Sequence, residues 1–163
     1  MKNIKLFSLL IFLFGMYGCS SEANTKIEGL AEIVETTPPI ELSLYDRLGA
    51  AEGISSIVDD IISTHLANPI VSVQFAYLKD DPERIEMLKK YTREFLGAGT
   101  GGTEIYTGND VTTVHKGMNI TEAEFLAAID DILLVLDKHN MSDQTKKDML
   151  YILYSFKSQV IAG

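Results

Sequence analysis

Apolar residues recur at steps of three and four along most of this chain, and the recurrences divide it into helices. Ile54, Ile57, Val58, Ile61, Ile62 and Leu66 form one stripe and predict a helix from about Ala50 to Ala67, after which Pro69 enforces a bend. A second helix is predicted from Asp80 or Asp81, with Pro82 suited to its first turn and Ile85, Leu88, Thr92, Phe95 and Leu96 on its inner face. Five glycines between Gly97 and Gly108 predict its end and a long flexible connection. Thr121 and Glu124 have the spacing of a capping box and open a third helix with the stripe Phe125, Ile129, Ile132, Leu133 and Leu136. Met149, Ile152, Leu153, Phe156 and Val160 give a fourth the matching stripe. Helices over residues 50–67, 81–97, 121–139 and 143–161 predict an all-α core, with a short segment at 110–116 between the two pairs.

The N-terminus follows a different pattern. Lys2 and Lys5 precede a stretch from Leu6 to Phe14 that is apolar apart from Ser8, and Gly15, Gly18 and Cys19 supply small residues at a processing site. Residues 1–18 therefore read as an export signal, too short for a permanent span. Met16-Tyr17-Gly18-Cys19 resembles a bacterial lipobox, which implies acylation of Cys19, the chain's one cysteine. Ser20 after it, where an acidic retention signal would stand, points to an outer-membrane lipoprotein facing periplasm or surface. Residues 19–40 are polar, end in Pro38-Pro39 and read as a lipid-anchored tether, leaving residues 41–163 as one globular domain.

Charge narrows the partners. Removing the two lysines of the leader takes the formal charge from −9 to −11. With no cluster of Lys and Arg, nucleic acid is excluded as a partner, and attachment to an anionic membrane would rest on the acyl chain.

One segment carries chemistry. Tyr106-Thr107-Gly108, five residues, then Val114-His115-Lys116-Gly117-Met118-Asn119-Ile120-Thr121 and Phe125 resembles the group I truncated haemoglobins. Leu44-Tyr45-Asp46-Arg47-Leu48-Gly49 is similar to that family's opening, and Val58-Asp59-Asp60 with Leu66-Ala67-Asn68-Pro69 to its first long helix and following turn. Phe95-Leu96, Gly101-Gly102 and Tyr106-Thr107-Gly108 keep its later spacing, so the likeness runs from about residue 42 to 161. It implies a two-on-two helical sandwich and b-type haem whose iron is held by His115, with the other axial position free for O2, NO or CO. Family members store or sense such gases, and some oxidise nitric oxide to nitrate. No flavin or nicotinamide domain is readable, so turnover would need an external electron donor.

The same resemblance assigns the surroundings. Phe75 matches the aromatic that packs on the haem plane, Phe125 faces His115, and Leu88 and Thr92 contribute to the distal wall, with Tyr91 beside them. Ile62 stands where the family usually places a tyrosine that donates to bound oxygen. About five extra residues within 76–87 blur the register there. Lys89, Lys90 and Thr107 could reach the haem propionates. His65 and His139, both near helix ends, read as surface residues, and Asp59-Asp60 and Asp130-Asp131 as solvated acidic pairs. Gly97 to Gly102 lacks the lysine and hydroxyl residue of a phosphate loop, and no Cys-His or Ser-His constellation supports nucleophilic hydrolysis. The competing reading is a haem-free globin-shaped lipoprotein acting as an interaction module, against which the retained His115 argues.

Loss of the tyrosine removes a hydrogen bond worth about 1.5–3 kcal/mol to a polarised ligand. Oxygen release measured by stopped flow should be faster than in tyrosine-bearing relatives, and equally slow release would overturn this expectation.

Overall fold

The computed structural model describes residues 41–78 and 80–161. The export signal and the tether therefore lie outside the described residues. The elements are α1 (Leu44–Arg47), α2 (Ala50–Ala67), a 3₁₀ segment (Ser72–Leu78), α3 (Pro82–Thr100), α4 (Val111–His115), α5 (Glu122–Lys138), α6 (Asp143–Ser155) and α7 (Lys157–Ile161), with no strand among the described residues.

Most boundaries follow local chemistry. Ser43, Asp81, Asp110, Thr121 and Ser142 each cap a helix by accepting a backbone N–H with the side chain. At α5 the capping box is complete: Glu124 N–H donates to Thr121 Oγ1, and Thr121 N–H donates to Glu124 Oε2 at 2.8 Å. α2 ends at Asn68, whose extended conformation is what the following Pro69 requires.

α2 and α3 pack as one pair, and α5 with α6 and α7 as the other; α2 lies against α5 where the pairs meet, giving the two-on-two arrangement of a truncated globin. The solid core surrounds α2: Leu48, Ile54, Ile57 and Val58 join Leu96, Val135, Leu136 and Met149, all nearly without exposure. Each such side chain contributes about 1.5–3 kcal/mol by leaving water.

Three expectations change. The second helix does not stop at Gly97 but runs to Thr100, closed by Gly101 at φ 101°. Gly97 serves close packing instead, because a Cβ there would stand 2.6 Å from the Glu104 carboxyl carbon. The last helix is interrupted at Phe156, whose N–H donates to Leu153 O, tightening one turn and letting α7 pack against α4. Finally, Leu88, Phe95, Ile132 and Leu153 are only half-buried, since they border a cavity rather than the solid core.

The corner between α1 and α2 depends on close backbone approach, since a Cβ on Gly53 would stand 2.1 Å from Leu48 O. Gly53→Ala should therefore cost at least ~2 kcal/mol of unfolding free energy by strain, whereas Gly99→Ala, in a helix with nothing within 4 Å of the new methyl, should gain about 0.5–1 kcal/mol. Urea titration of the two variants checks the contrast.

Candidate functional site

A cavity of about 700 Å³ opens between the helical pairs, within the range of small-molecule sites. Its walls are mostly apolar. α2 supplies Ile61, Ile62 and His65, the 3₁₀ segment Phe75 and Leu78, and α3 Leu88, Tyr91, Thr92, Phe95 and Leu96. Val111, Val114 and His115 come from α4, Phe125, Ala128 and Ile132 from α5, and Met149 and Leu153 from α6. The sequence-predicted residues His115, Phe75, Leu88, Thr92, Ile62 and Phe125 are thus all brought to one cavity, and Tyr91 with them.

His115 ends the one-and-a-half-turn helix α4, started by the Asp110 cap. Its Nδ1 lies 2.7 Å from Val111 O. A carbonyl only accepts, so Nδ1 carries the hydrogen, and in the neutral ring the lone pair is on Nε2. On the α2 and α3 side, Ile62 is buried and offers no polar atom, and Thr92 gives its hydroxyl hydrogen to Leu88 O at 2.9 Å. The one polar group expected on that wall is therefore already engaged as a donor within its own helix.

His65 is a correction. It stands at the expected helix end, in the last turn of α2, but not at the surface: it is 8% exposed and borders the cavity. Its Nδ1 meets Asp131 Oδ2 at 3.0 Å, Asn68 Nδ2 donates to Asp131 Oδ1 at 2.9 Å, and its ring lies nearly parallel to Phe75 with centroids 6.0 Å apart. Asp131 is likewise buried rather than solvated, as a carboxyl so far from water requires such partners. Burial pushes the His65 imidazole below its ordinary value of 6.5, against the opposing pull of Asp131. Sequence reasoning missed this group because its partner lies on α5, far along the chain; the polar interruption of an apolar stripe at His65 and at Asp131 was the available signal.

The other charged candidates are occupied. Asp59 pairs with Lys89 and Arg93, and Asp60 with Lys138 and His139, so the first acidic pair links α2 to its neighbours. Neither Lys89 nor Lys90 borders the cavity. Lys90 pairs with Glu94 at 2.8 Å and donates to Thr107 Oγ1 at 3.0 Å. Lys90, together with the Thr107 hydroxyl and N–H, holds the Glu94 carboxyl down at about 2. Arg84, Thr107 and Asn109 also line the cavity, with Arg84 paired to Asp81 and the Thr107 hydroxyl donating to Glu94. Among the described residues no cluster of three His, Cys, Asp or Glu has metal-site geometry.

Comparison with known proteins follows the same lines. A family model described as bacterial-like globin matches residues 43–162. The chain is 26% identical over 121 residues to a group 1 truncated hemoglobin of Mycolicibacterium paratuberculosis, covering 74% of this chain and 85% of that protein. It is 27% identical over 119 residues to a group 1 truncated hemoglobin of Tetrahymena pyriformis, covering 66% and 94%. Among solved structures, the truncated hemoglobin of Tetrahymena pyriformis in its Fe(III) form superposes with a TM-score of 0.66 at 22% identity, over 74% of this chain and 98% of that one. The 2/2 hemoglobin of Synechococcus sp. PCC 7002, in the cyanomet state with covalently attached heme, gives 0.65 at 21% identity, over 75% and 100%.

The depressed His65 value has a measurable consequence. The unfolded chain takes up a proton near the ordinary value of 6.5 before folded His65 does, so stability is full above that pH and is lost as pH falls below it. The urea midpoint should drop between about pH 7 and about pH 5, and drop less in His65→Gln, which can still donate to Asp131. Equal drops in both proteins would refute the assignment.

Proposed function

The chain belongs to the bacterial-like globin family, and from that membership and the cavity we propose a haem-binding truncated haemoglobin of the group I kind. In this reading His115 holds the iron of a b-type haem, and the ligands are the diatomic gases O2, NO and CO. The observation that carries it is the hydrogen bond from His115 Nδ1 to Val111 O at 2.7 Å, on a ring that borders a largely apolar cavity. Tying one ring nitrogen to a carbonyl fixes the ring's orientation and leaves the other as a metal ligand.

The residues present fit the group. The cavity offers one oriented imidazole, an aromatic floor in Phe75 and Phe125, and aliphatic walls from Ile62 and Leu88. Of the polar side chains in the lining, Arg84 and Asn109 would meet the haem carboxylates, since Thr107 is committed to Glu94. The chain's single cysteine, Cys19, provides no paired thiols for a thioether-linked cofactor, which favours the b type. When bound, haem supplies an iron coordination position for a diatomic ligand. The chain's own part is to hold the ring of His115, to exclude water with Ile62, Leu88 and Phe125, and to present no hydroxyl donor at Ile62 or Thr92.

Residues 1–18 and Cys19 support export and a lipid anchor, with turnover of nitric oxide, if catalysed, drawing on an external electron donor. Among the described residues no helix is long and apolar enough to cross a membrane. The anchor in this reading is the acyl chain on Cys19, which the resemblance of Met16-Tyr17-Gly18-Cys19 to a lipobox supports.

The visible spectrum of the chain produced with haem available tests the reading. A Soret band that shifts with carbon monoxide in the ferrous protein, and weakens or disappears in His115→Ala, is the expected result. A well-folded helical protein without bound haem would overturn it in favour of the interaction module.

A further inference from the structure

The cavity contains a second imidazole that the reading above does not use. His65 lies one turn beyond Ile62 on α2, and its orientation is fixed from three sides. Asp131 Oδ2 accepts from Nδ1 at 3.0 Å, Phe75 stacks on the ring, and Asn68 holds the other carboxylate oxygen at 2.9 Å while its own Oδ1 accepts the Ile70 N–H at 3.0 Å. An ionised carboxylate only accepts, so the hydrogen between His65 and Asp131 sits on Nδ1. In the neutral ring Nε2 then carries a lone pair. Among the described residues that nitrogen has no hydrogen-bond partner, and the ring borders the cavity.

Three other polar side chains that border the cavity are already engaged. The Thr92 hydroxyl is committed to Leu88 O, Gln74 Nε2 to Glu124 and Tyr106 Oη to Asn109 O. An oriented nitrogen without a partner, on a ring that borders the cavity, can accept from a ligand that brings a hydrogen. This is the opposite of what the family's tyrosine provides, since a hydroxyl donates to a ligand and the Nε2 lone pair accepts from one.

We propose that His65, oriented by Asp131, is the base of this cavity, and that it takes the proton from a small protic ligand HX, the class of hydrogen sulfide, hydrogen peroxide and hydrogen cyanide. The H–X bond breaks, its electron pair stays with X, which binds as the anion, and the proton moves to Nε2. The resulting imidazolium stands beside the Asp131 carboxylate. No oxidant or reductant enters the step. The proposal rests on the haem reading above, because the anion needs a ferric centre to bind.

Hydrogen cyanide serves as the probe. The ferric, haem-loaded chain is mixed with cyanide at neutral pH and followed at the Soret band, and carbon monoxide association to the ferrous form, which transfers no proton, gives the baseline. The cyanide rate relative to that baseline should fall about 100-fold or more in His65→Leu. Asp131→Asn should reverse the ring's polarity, because the new amide can donate to Nδ1 and leave the hydrogen on Nε2. That variant should bind cyanide more slowly and release oxygen more slowly than the native chain. Nitrogen-15 spectra of the haem-free chain give an independent readout: a lone pair on Nε2 of His65 in the native protein and a hydrogen there in Asp131→Asn. An unchanged ratio in His65→Leu overturns the proposal, and so does a rise, which would mean that His65 obstructs or itself ligates the iron. A native chain without a Soret band fails at the haem reading and takes this proposal with it; a normal band with an unchanged ratio defeats this proposal alone.

Discussion

A side chain that borders an open cavity cannot also be close-packed on that side, and this constraint organises the domain. α2 reconciles the two demands along its length. Ile54, Ile57 and Val58 near its start are embedded in the solid core, and Ile61, Ile62 and His65 nearer its end are buried yet face open space. Away from the cavity, Leu48, Val135 and Leu136 close around α2, and side-chain caps begin five helices.

Two imidazoles border the same cavity and are held by different acceptors. His115 is tied to a carbonyl four residues back on its own short helix, a local device that needs no distant partner. His65 is tied to a carboxylate brought from α5, a device that exists only once the two helical pairs have met. A carboxylate also stabilises a protonated ring more than a carbonyl does, so the two histidines differ in chemistry as well as in origin.

What could be read from the sequence follows the same division. Periodicity located α2 to the residue and gave the inner faces of α3 and α5, because helix faces are fixed by local geometry. The capping box and Pro82 in the first turn of α3 were equally local. The segment around His115 was legible only through its resemblance to the group I truncated haemoglobins; the residues that resemblance assigned to the ligand and the walls line one cavity, whereas Lys89 and Lys90 do not. The His65–Asp131–Asn68 network was not legible, since each residue taken alone looks like an ordinary polar position and only packing of α2 on α5 joins them. The run through Gly97 was misread for a related reason: the glycine makes room for Glu104, which arrives later in the chain. The interruption at Phe156 has no composition signal, and its purpose is visible only in the contact of α7 with α4.

That contact bears on how the protein and its cofactor come together. α4 has five residues, far fewer than a helix needs to persist by itself in water, and only the Asp110 cap and its packing against α7 define it. The position of His115 is thus an outcome of assembly rather than of intrinsic helical preference. Thermodynamic reciprocity then applies: whatever free energy the histidine segment contributes to gripping a group in the cavity, that group returns to the ordering of the segment. Filling of the cavity and ordering of α4 are then two sides of one coupled equilibrium.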